Sequence, residues 1–268
     1  MDWGLHNRLA RIFQRDHRTV MLAVDHGYFM GPTTRLEDPR ATIAPLLPYA
    51  DAIMLTRGVL RNCVDPDVPI PVVLRVSGGT TILRKDELPN ETIMTTVEDA
   101  VRLNACAVAL SIFVGSDYEH QTLANLARLV DMAIPYGMPV LAVTAVGKEL
   151  EKRDARYLAL ACRVAAEFGA HFVKTYFCEN FERVAGSCPV PLVIAGGPKL
   201  DSDMAVFELV YRALQEGAAG VDMGRNIWQS DYPVPMIRAI RAIVHEQYTP
   251  QQALELLREL RTTPTVQV

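Results

Sequence analysis

The sequence of 268 residues contains no hydrophobic run that approaches the roughly 20 residues of a membrane span. Its start, MDWGLHNRLARIF, lacks the apolar core and the small-residue cleavage site of a secretory signal peptide. The five cysteines, at positions 63, 106, 162, 178 and 188, include no C-x-x-C pair, which argues against a disulfide framework or a cysteine metal site. We therefore expect a cytoplasmic protein with buried thiols, no metal and no membrane attachment.

Positive charge is also in short supply. The 27 Lys and Arg residues are outnumbered by 31 Asp and Glu residues, which gives a net charge of −4, and only five of the cations are lysines. This balance provides no basic surface for a phosphate backbone and argues against nucleic acid as a partner. Half of the residues are hydrophobic, which excludes intrinsic disorder and predicts a large packed core.

Eight short apolar runs, rich in Val, Ile, Leu and Ala, alternate with amphipathic stretches. Such runs are typical of parallel strands that are buried on both faces. Eight strand–helix units in one chain predict a single-domain (β/α)8 TIM barrel over residues 1–268, with 1–19 as an N-terminal helical segment that covers the barrel. The alternative is a doubly wound open sheet, but no G-x-G-x-x-G follows the first strand. The runs are 20–24, 51–55, 71–76, 105–113, 140–144, 172–176, 191–195 and 220–223.

The stretches between the strands have helical periodicity or turn composition. We predict helices over 42–49, 97–104, 118–136, 156–168, 202–216 and 235–247. Residues 77–90, SGGTTILRKDELPN, form the longest irregular stretch and follow the third strand. Active sites of such barrels lie at the carboxyl ends of the strands, so this stretch is a candidate lid.

Lys174 is the most informative residue at those strand ends, because it lies inside the apolar string HFVKTYF. A buried lysine is unfavourable unless it is paired or neutral. Desolvation favours the neutral amine, which forms a Schiff base with a ketone. A lysine that pairs with a carboxylate or reaches solvent fits the local context equally well. The other four lysines lie in loops or helices, which favours Lys174 as the nucleophile.

Two glycine-containing turns follow the last two strands. Gly196-Gly197 ends the seventh strand, and Gly224-Arg225 ends the eighth. Backbone N–H groups at these two positions often bind phosphate in barrels, and an arginine adds a charge-assisted hydrogen bond. We predict a phosphate site here, although tight turns also use glycine for conformational reasons alone.

Asp25-His26 ends the first strand and could transfer protons near a Schiff base. A histidine at this position is expected to titrate near neutrality. The alternative is a capping aspartate beside a packed histidine. His245, in contrast, lies in a polar helical context, and we predict that it is solvated.

Four long strings, VMLAVDHGYFMGPTT, FVKTYF, VPLVIAGGPKL and GVDMGRNIWQSDYPV, resemble the DhnA-type class I aldolase family. The resemblance covers nearly the whole chain. It implies that Lys174 is the Schiff-base lysine and that Asp25 is the acid/base carboxylate, with His26 beside it. It also implies that the substrate phosphate is bound by Gly196, Gly197, Gly224 and Arg225.

The strings DWGLHNRLARIF, GSDYEHQ and VTAVGK are similar to a branch of that family in which coenzyme A accepts an acetyl group. This implies a phosphorylated dione as substrate, coenzyme A as co-substrate, no bound cofactor and a ring-based homo-oligomer, a decamer. Sugar aldolases of the family have a tyrosine acid/base at the end of strand five, a region where this chain has Thr144. The departure favours thiolysis over retro-aldol cleavage.

Two other functions remain open at this stage. One is a class I fructose-bisphosphate aldolase or a related lyase or synthase of phosphorylated sugars. The other is a barrel that binds a phosphorylated effector without catalysis, which would require a protonated and paired Lys174. The phosphates of coenzyme A could be bound by Arg57, Arg75, Lys148 or Lys199, and the sequence does not choose among them.

Overall fold

The structure is a computed structural model, and it describes residues 2–145 and 154–262. Eight parallel strands form a closed barrel in which each pairs with the next in the chain and the last pairs with the first. The closed barrel confirms the predicted fold and excludes the open sheet. The strands are β1 (Thr19–Ala23), β2 (Ala52–Thr56), β3 (Val72–Arg75), β4 (Ala107–Ile112), β5 (Val140–Thr144), β6 (Phe172–Tyr176), β7 (Leu192–Ala195) and β8 (Gly220–Met223).

The continuous apolar character of the strands follows from burial on both faces. Along β1, Met21 and Ala23 pack inside the barrel, whereas Val20 and Leu22 pack against the outer helices. Polar side chains therefore occur mainly at the strand ends, and an internal charged residue such as Lys174 is conspicuous.

Helices surround the barrel. They are α1 (Trp3–Ile12), α2 (Gly27–Met30), α3 (Pro39–Ile43), α4 (Arg57–Cys63), α5 (Val97–Arg102), α6 (Glu119–Ala133), α7 (Ala155–Glu167), α8 (Phe181–Ser187), α9 (Asp203–Gln215), α10 (Arg225–Trp228), α11 (Pro233–Glu246) and α12 (Pro250–Thr262). The predicted helix over 42–49 is wrong. Helix α3 begins earlier, at Pro39, after Asp38 caps its N-terminus. A separate 3-10 turn follows at Leu47–Tyr49, because Pro48 cannot occupy a helix interior.

The amino end of the barrel is covered by α1. Asp2 caps this helix by accepting hydrogen bonds from the backbone N–H groups of Gly4 and Leu5. At its other end, Ile12 is fully buried among the side chains inside the barrel. The ring of Phe13 contacts that of Phe172 edge to face, with 5.5 Å between centroids. None of the described helices is both long enough and apolar enough to cross a membrane.

A buried carboxylate, Asp51, lies at the start of β2 and joins three elements at this same end. It accepts hydrogen bonds from the backbone N–H of Val20 at 2.7 Å, from Arg241 at 2.5 Å and from His245 at 2.8 Å. The other ring nitrogen of His245 lies 2.7 Å from Asp16. His245 is thus largely buried and paired, and the prediction that it is solvated is wrong. Helix α11 places His245 beside the start of β1 and β2, and this long-range contact cannot be predicted from the polarity of the local sequence.

The candidate lid crosses the opposite end. Ser77–Gly78 and Thr92–Ile93 form a short antiparallel ribbon, and Ile82–Glu87 forms a 3-10 helix between them. Residues of this segment line the cavity described below. This two-stranded ribbon forms the stem of the 77–90 segment.

Candidate active site

A cavity of about 520 Å³ opens at the carboxyl ends of the strands. All seven residues that the sequence analysis proposed for the site line it: Asp25, His26, Lys174, Gly196, Gly197, Gly224 and Arg225. The wall also includes residues that the sequence analysis did not propose, Asp222, Glu91, Tyr28 and Lys85 among them.

Lys174 lies on β6, where side chains alternate between the barrel interior and the helices. Phe172 and Lys174 point inward, and Val173 packs outward. The Lys174 Nζ is 2.9 Å from Oδ2 of Asp222 on β8, and the Asp222 side chain is fully buried. The amine is therefore paired. Of the two interpretations that the local sequence left open, the geometry therefore shows the carboxylate-paired lysine, and the role of Lys174 as the nucleophile stays a prediction.

Asp222 is the main residue that sequence reasoning missed. Apart from Lys174, no described residue donates a hydrogen bond to its carboxylate. Burial disfavours the charged form and raises the pKa of Asp222 to about 6, against the opposing effect of the Lys174 ammonium. The signal that identifies Lys174, a charged residue within an apolar strand, is equally present in the string GVDM.

Asp25 and His26 follow β1 and lie beside this pair. Asp25 Oδ1 is 3.7 Å from His26 Nδ1, and Asp25 Oδ2 is 3.8 Å from the guanidinium of Arg75. Burial lowers the pKa of His26 to about 4; Asp25 opposes the shift, whereas Lys174 reinforces it. His26 is thus neutral at physiological pH, and the expectation that it titrates near neutrality is wrong.

Arg75 forms a buried network at the end of β3. It donates hydrogen bonds to Tyr28 at 2.5 Å, to Glu91 at 3.2 Å and to Ser111. The phenol of Tyr28 donates to Glu91 at 2.6 Å, and burial raises its pKa well above the usual value. The network fixes Asp25 and the stem of the 77–90 segment, so Arg75 is not available to bind coenzyme A at the surface.

The two glycine turns approach the cavity closely. A Cβ atom on Gly224 would lie 2.4 Å from the carbonyl oxygen of Ala23, so no larger residue fits. Gly197 has a φ of +67°, in the left-handed region that glycine tolerates. Asn226 donates a hydrogen bond to the Gly196 carbonyl at 2.8 Å and links the two turns. Together the turns form a compact rim beside Arg225.

Thr144 does not face the cavity. Its hydroxyl contacts Thr175 Oγ1 at 2.9 Å on the outer side of the barrel, whereas Val143 and Ala145 line the cavity. The expectation that Thr144 occupies the place of an acid/base tyrosine is wrong, because strand alternation turns its side chain outward. Phenols are not absent from the wall, since Tyr28 and Tyr176 both line it.

The other cations considered for coenzyme A are placed differently. Arg57 pairs with Asp99 at 3.2 Å, and the Lys199 Nζ donates to the Gln229 carbonyl at 2.8 Å. Neither lines the cavity, and Lys148 lies outside the described residues. Lys85, one of the four lysines expected in a loop or a helix, lines the cavity from the 77–90 segment.

The donors present do not form a metal site. Among residues 2–145 and 154–262, no three His, Cys, Asp or Glu side chains are grouped closely enough to hold a metal ion. The polar groups of the cavity are instead an amine, carboxylates and backbone turns, a set suited to covalent catalysis on a carbonyl compound.

Comparison with known proteins points to the same chemistry. The chain is 54% identical over 258 residues to the 3-hydroxy-5-phosphonooxypentane-2,4-dione thiolase of Photorhabdus laumondii, covering 96% of this chain and 87% of the relative. It is 56% identical over 261 residues to the Klebsiella pneumoniae protein of that name, covering 97% and 87%. The corresponding Escherichia coli K12 protein is 53% identical over 258 residues, covering 96% and 87%.

Solved structures of archaeal aldolases share the fold. A fructose 1,6-bisphosphate aldolase is 28% identical with a TM-score of 0.82, covering 90% of this chain and 99% of the other. A second, with the same identity and coverage and a TM-score of 0.81, has its catalytic lysine covalently bound to the carbinolamine intermediate. Residues 19–230 match the family described as DeoC/LacD family aldolase. The chain belongs to this aldolase family.

Proposed function

We propose that the chain is a Schiff-base thiolase. It would cleave 3-hydroxy-5-phosphonooxypentane-2,4-dione with coenzyme A to give acetyl-CoA and dihydroxyacetone phosphate. The observation that carries the proposal is the Lys174 amine, which lines the cavity together with Asp222 and Asp25. The choice of substrate is supported by relatives of this name that are 54% and 56% identical to this chain over 258 and 261 residues, nearly its whole length.

Substrate orientation comes from the phosphate. We assign it to the rim of Gly196, Gly197, Gly224 and Arg225, whose backbone turns and guanidinium line the cavity. With the phosphate bound there, the ketone next to the phosphate-bearing carbon extends toward Lys174. The lysine then forms an imine with this ketone, and water leaves.

Carbon–carbon cleavage uses the imine as an electron sink. The thiolate of coenzyme A attacks the acetyl carbonyl, and the bond from that carbon to the carbinol carbon breaks. The electron pair moves into the iminium and leaves an enamine of dihydroxyacetone phosphate, while the acetyl group departs as acetyl-CoA. A proton then returns to the carbinol carbon, and water hydrolyses the imine.

Asp25 is the group we assign to that proton transfer. Its carboxylate lines the cavity and is fixed by the guanidinium of Arg75. His26 beside it remains neutral above its lowered pKa of about 4 and packs edge to face against the ring of Trp228, so we assign it a packing role near Asp25 rather than a charge. None of the five cysteines is required.

The alternative is a fructose-bisphosphate aldolase. The archaeal aldolases of similar fold favour it, and so do the phenols of Tyr28 and Tyr176 in the cavity wall. Retro-aldol cleavage needs a base for a sugar hydroxyl, whereas thiolysis needs a thiol. Tyr28 is already hydrogen-bonded to Glu91 and Arg75, which makes its phenol a poor base.

The deciding experiment supplies the phosphorylated dione with and without coenzyme A. We expect acetyl-CoA and dihydroxyacetone phosphate to appear together, and only when coenzyme A is present. The Lys174→Met variant is the matched control and should produce neither. Rapid cleavage of fructose bisphosphate, together with indifference to coenzyme A, would replace the thiolase with the aldolase.

Assembly and location remain expectations. The family resemblance implies a ring-based homo-oligomer, a decamer, and the sequence composition favours the cytoplasm. Light scattering after size-exclusion chromatography would measure the mass of the assembly, and division by the 29.7 kDa mass of one chain gives the number of subunits. A monomeric mass would contradict the assembly without affecting the proposed chemistry.

A further inference from the structure

The surroundings of Asp222 differ from those of a buried carboxylate that serves packing alone. On β8 it is paired in register with Met21 of β1 and Ala195 of β7, neither of which offers a side-chain donor. Its side chain is fully buried, and the Lys174 Nζ at 2.9 Å is the cation it contacts. Burying a charge with so little compensation is unfavourable, unless the carboxylate shares a proton with its partner.

Two further charges in the cavity wall, with opposite effects on the pair's protonation equilibrium, act on the Asp222 carboxylate. Asp25, after β1, disfavours a second negative charge in the cavity, and Arg75, on β3, partly offsets that effect. Arg75 itself is committed to Glu91 and Tyr28. The proton of the Lys174–Asp222 pair therefore has two close positions, the amine and the carboxylate.

We propose that Asp222 is a catalytic residue that takes the proton of the Lys174 ammonium and returns it to the departing oxygen during imine formation. The inference rests on the proposed function, because it requires Lys174 to be the Schiff-base amine. It assigns a distinct proton carrier to imine formation and leaves Asp25 for the later proton transfer to carbon.

The steps balance as follows. One proton moves from the ammonium to the Asp222 carboxylate and leaves a neutral amine. The amine nitrogen attacks the ketone carbon, the carbonyl electron pair moves to oxygen, and a proton passes from nitrogen to that oxygen. Asp222 then donates its proton to the resulting hydroxyl, the carbon–oxygen bond breaks, and water leaves. The iminium that forms is cationic and faces the restored carboxylate, so the original ion pair persists.

A purely structural ion pair makes a different prediction. If the pair only held β6 and β8 together, neutralising Asp222 would lower the stability of the fold. Loss of the negative charge beside Lys174 would also favour the neutral amine, so the imine would form at least as fast as in the wild type. If Asp222 carries the proton, the same change removes the group that accepts it from the ammonium and returns it to the departing oxygen. Imine formation would then be slower although the neutral amine is favoured, and the dependence on the protonation of Asp222 would disappear.

The test compares Asp222→Asn and Asp222→Glu with the wild-type protein. Dihydroxyacetone phosphate is the probe, borohydride traps the imine, and mass spectrometry measures the trapping rate as a function of pH. In the wild type we expect the rate to fall as the pH drops through about 6, where Asp222 becomes protonated. In Asp222→Asn we expect a rate lower by about 10²–10⁴-fold near neutrality, without the fall near pH 6 that the wild type shows. Asp222→Glu should regain part of the rate.

Asp51→Asn serves as the matched control, because it neutralises a buried carboxylate at the other end of the barrel. It should lower the unfolding temperature without altering the pH profile of trapping. An Asp222→Asn variant that traps imine at the wild-type rate and with the wild-type profile would overturn the inference. If Asp222→Asn does not fold, the Asp222→Glu profile decides, since an unchanged profile there also contradicts the inference. Failure of the wild type itself to form an adduct at Lys174 would instead refute the proposed function.

Discussion

Two buried aspartates at opposite ends of this barrel have opposite environments. Asp51, at the amino end, accepts hydrogen bonds from Val20, Arg241 and His245. Burial raises its pKa, but these hydrogen bonds outweigh burial and hold the pKa below its usual value. Asp222, at the carboxyl end, contacts the Lys174 amine and accepts no other hydrogen bond from the residues that the structure describes, and its pKa is raised to about 6. The first carboxylate is held in its charged form, and the second is balanced between two forms.

The difference between the two aspartates agrees with the different roles of the two ends of the barrel. Residues at the amino ends of the strands stabilise the structure, whereas those at the carboxyl ends surround the reacting groups. Full hydrogen bonding makes Asp51 a fixed charge that joins α11 to β1 and β2. Incomplete hydrogen bonding of Asp222 allows a proton to move between the Lys174 amine and the Asp222 carboxylate. Mutations at the two ends should therefore separate activity from stability.

The largest effect is expected for Lys174→Met. Removal of the amine eliminates the electron sink, so thiolysis should become undetectable in an assay of acetyl-CoA. Lys174→Arg should be equally inactive, because a guanidinium stays protonated and cannot act as a nucleophile. Activity that survives in either variant would place the nucleophile elsewhere.

Stability should change most at the other end. Asp51→Ala leaves Arg241, His245 and the Val20 N–H without their acceptor, and breaking such a buried pair costs about 3–5 kcal/mol in the free energy of unfolding. Urea unfolding measures this, and activity per folded molecule should be retained. Asp65→Ala is the control, since its exposed pair with Arg40 is worth about 0–1 kcal/mol. Equal losses in the two variants would contradict the structural role of Asp51.

The phosphate rim should show a smaller and ligand-specific effect. Arg225→Ala removes a charge-assisted hydrogen bond, worth about 1.5–3 kcal/mol. This corresponds to roughly a ten- to hundredfold loss of affinity for dihydroxyacetone phosphate in calorimetry. Binding of unphosphorylated dihydroxyacetone should change far less. A similar loss for both ligands would mean that Arg225 supports the rim rather than the phosphate.

The smallest effect is expected in the contribution of His245 to the free energy of unfolding, which should depend on pH. Burial lowers its pKa, but hydrogen bonds with Asp51 and Asp16 outweigh burial and raise the pKa above 6.5. The stability gained from the charged histidine is therefore fully present below pH 6.5 and lost as the pH rises through the folded-state value. Urea unfolding of wild type and His245→Gln from about pH 5 to 8 should show a difference that shrinks with rising pH. A difference in unfolding free energy that grows with rising pH would contradict the assignment of a charged His245 in the folded protein.

The same contrast explains what the sequence reveals. The strands and Lys174 are predictable, because burial on both faces leaves continuous apolar runs in which a charge is obvious. Asp222 is predictable by the same reasoning, although its partner is not. The pairing of His245 depends on α11 returning to β1 and β2, which no local pattern encodes. The orientation of Thr144 depends on where strand alternation begins, and a one-residue difference reverses the face.

Borohydride trapping with peptide mapping tests the central claim most directly. The wild-type protein is mixed with dihydroxyacetone phosphate, reduced and digested, and the mass of each lysine-containing peptide is measured. We predict a mass increase confined to the peptide that contains Lys174, and its absence from Lys174→Met. A stable adduct on the peptide of Lys85 or Lys199, or reduction without any adduct in the wild type, would contradict the account.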